Sequence, residues 1–342
     1  MSTFLKIHAC GPTVTVQDQG RRGYLAQGLT RGGAADLSAL YEGAALLGQS
    51  PDLAALEMVG FGGNFSASRD IRIALTGAPM IATLDDAPLA WHASHLMPAG
   101  SILKIGGVRS GTYGYLHVGG GIDTPVMIGA RAAHLSAGLG AAVTEGQDLP
   151  VGKDNNTATG MTLPVENRFE GGKIRIVASM QTDMFDPETQ ARFTRTQFHR
   201  DARANRMGVR MAHETEPFTA KGQLTILSDI IVTGDIQITG DGAPFVLMCE
   251  CQTTGGYPRI GTVIPSDMAR VAQAAAGAPI TFEFVDLSEA RTLEQRANAA
   301  RNTLANNVTP LLRDPHSIRD LLSYQLISGV VSGTPAPTTE KE

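Results

Sequence analysis

Cys251-Gln252-Thr253-Thr254-Gly255-Gly256-Tyr257-Pro258-Arg259-Ile260-Gly261-Thr262-Val263-Ile264 is the stretch around which the chain is organised. Before it, Phe245-Val246-Leu247-Met248-Cys249 is a short apolar run that predicts a buried strand. After it, Ser266-Asp267 predicts the cap of a short helix carrying Met268, Val271 and Ala272. Between them, Gly255-Gly256 lets a ligand approach the main chain closely. Gln252, Thr253, Thr254, Tyr257 and Arg259 add amide, hydroxyl and cationic groups. Such a loop at a strand end suits a small polar or anionic molecule. The same residues also make a glycine-rich turn whose polar groups satisfy one another.

The bulk numbers are compatible with either reading and bound the rest. The 342 residues suggest two domains or one large one. With 42% hydrophobic and 18% charged residues, the composition is that of a soluble globular protein. The 39 glycines and 5% aromatics fit many turns and short strands. A net charge of −5 implies no broad basic surface, which argues against a nucleic-acid partner. No apolar run is long enough to span a membrane, and Met1 to Lys6 lacks the features of a signal peptide; a cytoplasmic location is expected. Three cysteines, Cys10, Cys249 and Cys251, are too few and too odd for a disulfide framework. Cys249 and Cys251, two apart on an expected strand, would share a face as small buried thiols.

Along the chain, Val14-Thr15-Val16 runs as a strand into Gln17-Asp18-Gln19-Gly20-Arg21-Arg22-Gly23-Tyr24. Gln17, Asp18 and Arg21 should lie close there, with an Asp18–Arg21 pair bracing the turn as the structural reading. Asp36 is placed to cap a helix over Leu37 to Leu47 that Gly48 stops. Strands are expected over Ala54 to Val59, carrying Glu57, and over Ile71 to Leu75. Ser101 to Ile105 and Tyr113 to Val118 read as strands joined by a glycine turn. His92 and His95 have no third ligand nearby, so surface histidines are expected rather than a metal site. Gly119-Gly120-Gly121 reads as a phosphate cradle or a wide turn, and no nucleotide motif is present. Lys153 to Glu166 is the candidate linker.

In the second half, strands are expected at Lys173 to Val177, Leu224 to Leu227, Ile230 to Thr233, Asp235 to Ile238 and Ile280 to Val285. Arg203 to Arg210 is a compact basic turn, read equally as a functional element or as a solvated face. Asp286 and Glu289 open a helix with Leu287, Ala290, Leu293 and Ala297 on one face. Pro315 to Val331 suggests a further helix, and Gly333 to Glu342 a disordered tail. The boundaries that follow are 1–165, 166–292 and a C-terminal extension over 293–342.

Together these stretches resemble the allophanate hydrolase subunit 2 family, also called the KipA family or the family of the 5-oxoprolinase C subunits. The resemblance is carried by Thr15 to Tyr24, Gly33-Ala34-Ala35-Asp36, Leu56-Glu57, Gly119 to Ile122, Asn205-Arg206-Met207-Gly208, Gly234-Asp235-Ile236-Gln237 and Gln252 to Pro258, in the family's order. It implies a mainly β fold, two degenerate cyclophilin-like β-barrels in tandem with a few short helices, and a helical extension after them. It also implies a KipI-like subunit 1 partner and a shared cleft. The chain departs from the family's common Gly-Ser-Arg-Ser-Thr, having Gly129-Ala130-Arg131-Ala132-Ala133 without the hydroxyls.

Three functions follow from the resemblance. The first is a subunit of an ATP-dependent amidohydrolase acting on a cyclic amide such as 5-oxoproline, with ATP at a subunit interface and a third subunit of LamB/YcsF type. Arg21, Arg131 and Arg206 would stabilise developing charge. Gln17, Glu57, Gln252, Thr253, Thr254, Gly255, Gly256 and Tyr257 would hold the substrate, and Asp18 or Asp36 would move the proton. The second is the carboxyltransferase component of a biotin-dependent urea-type carboxylase, with biotin arriving on another chain. The third is a non-catalytic regulator that binds a KipI-like inhibitor.

Overall fold

The computed structural model describes residues 2–222 and 227–312. The strand expected over Leu224 to Leu227 (all but Leu227), the helix after Pro315 and the tail lie outside the described residues.

The chain is mainly β, in two units. In the first, two sheets enclose one apolar core. One sheet has the order Asp148–Val151, Thr3–Cys10, Phe61–Ala67, Leu103–Val108, Met80–Leu84, Ala87–Pro88. The other runs Thr15–Gln17, Ala55–Val59, Tyr113–Val118, Ile71–Gly77, Ala93–Met97, Met161–Thr162, Thr309–Pro310. Leu5, Ile7, Leu56, Phe65, Ile73, Leu103 and Leu116 fill the space between them. Leu103–Val108 and Tyr113–Val118 therefore sit in opposite sheets and not in one hairpin: the glycine turn carries the chain across the core.

The second unit is a closed seven-stranded barrel, in the order Gly172–Val177, Arg259–Val263, Asp235–Ile238, Pro244–Leu247, Gly208–Ala212, Phe198–Ala204, Pro279–Phe284. The parallel pairing of Gly172–Val177 with Pro279–Phe284 closes it. Phe193, Phe198, Phe218 and Phe282 cluster in its core, with ring centroids 5.1 to 5.9 Å apart. Burying each such ring contributes about 2–3 kcal/mol.

Helix α1 (Leu37–Leu47) begins where Asp36, in extended conformation, accepts from the amides of Ser38 and Ala39, and it ends at left-handed Gly48. Its inner face packs on Ile71–Gly77. Leu40 and Ala39 join the barrel residues in one continuous core, so the two units share apolar packing. Helix α2 (Pro187–Arg195) carries Phe193 into the barrel core. Helix α3 (Met268–Gln273) follows a single 3-10 turn. Asp267 does not cap it by side chain; its carboxylate takes the Arg175 amide at 2.7 Å and the Arg175 Nε at 2.9 Å.

Helix α4 (Leu287–Asn302) is capped by Asp286, which accepts from the Glu289 amide. It runs across the expected boundary at 292/293. Leu287 is 78% exposed, so the buried face begins at Ala290. The following segment then returns to the first unit, where Thr309–Pro310 pairs with Met161–Thr162. The candidate linker is likewise tied down, because Asp154, Asn155 and Thr157 all accept from the Arg72 guanidinium. The amides of Gly119, Gly120 and Gly121 are taken by Arg72, Gln49 and Val118 oxygens, which makes this stretch a turn. His92 and His95 are part-buried rather than on the surface, and each ring bonds a backbone carbonyl. Among the described residues no helix is long and apolar enough to cross a membrane.

Candidate functional site

The sequence-derived residues gather in three places around the junction of the units. The first is a buried ionic seam. Glu57 and Tyr115 are direct cross-strand partners, and the Tyr115 hydroxyl donates to Glu57 Oε2 at 2.6 Å. The Ala35 amide donates to the same oxygen at 2.8 Å. Arg206, from the turn of the barrel, gives Nη1 to Glu57 Oε1, Nε to Glu250 Oε1 at 2.6 Å and Nη2 to the Gly33 carbonyl at 2.6 Å. Burial, and then the Glu57 charge, hold the Tyr115 phenol well above its usual range, so it stays a donor. The basic turn is therefore not a solvated face at Arg206, which is 9% exposed.

Beside this triad, Asp36 Oδ2 accepts from Arg168 Nε at 2.7 Å and Gln273 Nε2 at 2.8 Å. Arg168 also forks onto Glu42 at 2.7 and 2.9 Å. Asp36 is fully buried with both oxygens engaged. Its geometry is that of a cap and cross-unit anchor, not of a proton carrier facing a cavity.

The second place is the loop cluster of the first unit. Asp18 accepts from the amides of Gly20 at 2.8 Å and Arg131 at 2.6 Å. Arg21 does not pair with it: its guanidinium bonds the carbonyls of Met127 at 3.0 Å and Ala132 at 2.6 Å. Arg131 is paired with Asp123 at 2.5 Å. Gln17 Nε2 bonds Thr15 and the Ala133 carbonyl. Gln17 Oε1 and Arg21 Nη1 are buried without a partner among the described residues. They belong to the side chains that meet Ala132 and Ala133, where the family hydroxyls are missing.

His134 lies in the same cluster, 3.0 Å from Thr30 Oγ1 and 3.9 Å from Glu250. Thr30 donates its proton to the Cys251 carbonyl, so His134 Nε2 carries a hydrogen and donates to Thr30. Burial holds this imidazole below its ordinary range.

The third place is a groove on the barrel, a cavity of about 480 Å³ lined by Asn205, Met207, Gln237, Thr239, Gln252 and Tyr257. Gln252 and Tyr257 are exposed to it, while Thr253, Thr254, Gly255 and Gly256 form the adjoining loop. Thr254–Gly255 pairs with Asp229–Ile230. Gln237 is 7% exposed and its Nε2 has no partner among the described residues. A Cβ at Gly255 would come within 2.6 Å of that nitrogen, so only glycine leaves the amide its place. Arg259 does not face the groove. It turns inward to Asp229 at 2.5 Å and to the Ile230 carbonyl at 2.6 Å, and so anchors the loop. Cys249 and Cys251 are buried free thiols, as expected, but the strand ends at Leu247 and they join different apolar clusters.

Glu250, Arg168, Glu42, Tyr115, His134 and Gln273 do not stand out in the sequence as site residues, and Gln237 enters there only within the Gly234 to Gln237 stretch that carries the resemblance. Glu250 alone carries a local signal, a carboxylate embedded in the apolar run Leu247 to Cys251. Among the described residues no cluster of His, Cys, Asp and Glu could hold a metal ion.

The chain is thus a mainly β protein of two units, a two-sheet unit and a closed barrel, locked by a buried ionic seam with a carboxamide-lined groove on the barrel. A family model described as the carboxyltransferase domain, subdomain A and B, matches residues 27–284, and the chain belongs to that family. It is 36% identical over 299 residues to the C subunit of 5-oxoprolinase from Escherichia coli (strain K12), covering 85% of this chain and 94% of that one. The protein of the same name from Haemophilus influenzae is 34% identical, covering 82% and 91%. The fold is also that of the Kluyveromyces lactis urea carboxylase, with a TM-score of 0.79 at 22% identity over 91% of this chain and 31% of that one.

Proposed function

We propose that this chain is one subunit of a heteromeric ATP-dependent amidohydrolase of 5-oxoprolinase type, working with a KipI-like subunit. The observation that carries the reading is the groove, in a chain 36% identical to the C subunit of a 5-oxoprolinase. A cyclic amide presents its N–H and C=O on the same side. A primary carboxamide such as that of Gln237 or Gln252 matches both at once. The Gln237 amide, whose Nε2 is buried without a partner among the described residues, gains most from such a ligand, because an unmade buried hydrogen bond costs about 1–3 kcal/mol. The exposed Tyr257 hydroxyl adds a further contact.

In this reading the amide oxygen attacks the γ-phosphorus of ATP and ADP leaves, water adds to the activated carbon, the C–N bond breaks to free the amine and leave an acyl phosphate, and a second water hydrolyses that to carboxylate and phosphate. The test is turnover of the assembled subunits, following ATP hydrolysis with and without 5-oxoproline. Gln252→Ala and Tyr257→Phe sit on exposed side chains and should leave folding intact while lowering substrate-dependent ATPase at least tenfold. Unchanged turnover in both variants would remove the groove from the reaction.

The family description favours a second reading, carboxyl transfer with biotin carried on another chain. Carboxylation of a urea-like acceptor in place of 5-oxoproline-dependent ATPase would establish it. Tight binding to a KipI-like subunit without turnover of either kind would leave the regulatory reading.

A further inference from the structure

We propose that the cleft between the two units binds a phosphate chain, held by Arg22 and Arg31. Val232 and Thr233 line this cleft, and the preceding Ile231 lines the groove. It is a cavity of about 320 Å³ lined by Arg22 and Arg31 together with Tyr24, Thr30 and Thr233. Among the described residues no carboxylate lines it. Arg22 and Arg31 have no carboxylate within ion-pair distance among the described residues, a condition that Arg195 and Arg200 share; what sets the pair apart is that both line one cavity. Arg22 bonds the Gln19 amide oxygen at 3.2 Å and Arg31 the Gln19 carbonyl at 3.0 Å. Arg21, 2% exposed, gives its guanidinium to the Met127 and Ala132 carbonyls and is not counted among the ligands.

Two guanidinium groups lining one cavity that has no carboxylate among the described residues, on a chain of net charge −5, are not a by-product of general basicity. Their mutual repulsion costs free energy that an anion between them removes. Burial holds Arg31 below its usual range, with repulsion from Arg22 and Arg206 added, so an anion beside it relieves both. Guanidinium groups bind phosphate through paired N–H donors, which suits an oxyanion with several acceptor edges.

A second cavity of about 280 Å³ shares Arg22, Arg31 and Thr233 with the cleft and adds Arg301, Leu37, Met248 and Met268. A chain of two or more phosphates spans the shared arginines, and the less polar remainder of a ligand has the second cavity to enter. The site does not depend on the reaction proposed above.

Calorimetric titration of the full chain with inorganic pyrophosphate tests it, with ATP and adenosine as parallel arms. Pyrophosphate should bind, with affinity falling as salt rises, and Arg22→Gln and Arg31→Gln should each weaken it tenfold or more. Arg195→Gln, on the exposed side of α2, removes the same charge elsewhere and should leave binding unchanged. Tighter binding of ATP than of pyrophosphate, with none of adenosine, assigns the second cavity to a nucleoside; equal binding assigns the site to the phosphates alone. No binding to the wild-type chain, or equal weakening by Arg195→Gln, would overturn the proposal. Pyrophosphate binding without 5-oxoproline turnover would keep the site and remove the amidohydrolase reading.

Discussion

Arg206 reaches across the junction to Glu57, a residue 149 positions earlier in the chain, and holds it with no water-exposed side. Its remaining nitrogens bond Glu250 and the Gly33 carbonyl, so no nitrogen is idle. Removing one member of such a buried pair strands the charge of the other, at a cost of about 3–5 kcal/mol. Glu57→Gln and Arg206→Met should each lower the urea midpoint accordingly, with an unchanged m-value. A loss below about 1 kcal/mol would mean that water reaches the seam.

Gly43 illustrates a conflict between propensity and packing. In an exposed helix, Gly→Ala stabilises by about 1 kcal/mol. Here a Cβ would lie 2.4 Å from three atoms of the His117 ring. That ring is fixed by its 2.8 Å bond to Thr76 Oγ1, which in turn donates to the Ala39 carbonyl. Overpacking of this kind costs about 1–3 kcal/mol. Gly43→Ala should therefore be net destabilising in thermal melts, whereas a rise in Tm would show that the helix can shift.

The same histidine makes stability depend on pH. Burial pushes the His117 imidazole down to about 3, and burial also lowers His92, His95 and His134. An unfolded histidine titrates near 6.5. Above that value both states are neutral and nothing is lost. Below it the unfolded chain takes up protons that the native chain refuses, so stability falls as pH drops from about 6.5 towards 3. The slope is up to about 1.4 kcal/mol per pH unit for each such histidine. Urea midpoints at pH 7.5, 6.0 and 5.0 should fall in order, and His117→Gln should flatten the trend. An unaltered slope in that variant would take His117 out of the account.

The thiols offer a simpler check. Cys249 and Cys251 are buried, and burial raises both, Cys251 to about 12. Cys10 is half-buried and donates to the Val143 carbonyl at 3.1 Å. At pH 8 an aromatic disulfide reagent should find at most Cys10 in the native chain and all three thiols in denaturant. Two reactive thiols in the folded protein would contradict the packing described.

What was legible in the sequence was what neighbouring residues decide. Asp36 as a cap, Gly48 as a stop and Asp286 before Glu289 are local geometry, and each stands as read. The polar loop at Gln252 to Tyr257 was visible as a ligand-type loop, but the inward turn of Arg259 was not. That turn depends on Asp229, thirty residues away. Arg168 was invisible for the same reason: its partners Asp36 and Glu42 lie 132 and 126 residues earlier. Proximity of Gln17, Asp18 and Arg21 could be anticipated. That Asp18 would choose amides, and Arg21 carbonyls, is set by the 123–133 loop folding over them.

The return of Thr309–Pro310 to the sheet in which the first unit began to close has a topological consequence. The barrel is an insertion into the first unit, not an appendage to it. Splitting the chain after residue 165 would strip an outer strand from one piece and expose the charges of the ionic seam on both. The two halves should therefore melt in a single cooperative transition, and neither should persist as an autonomous fragment.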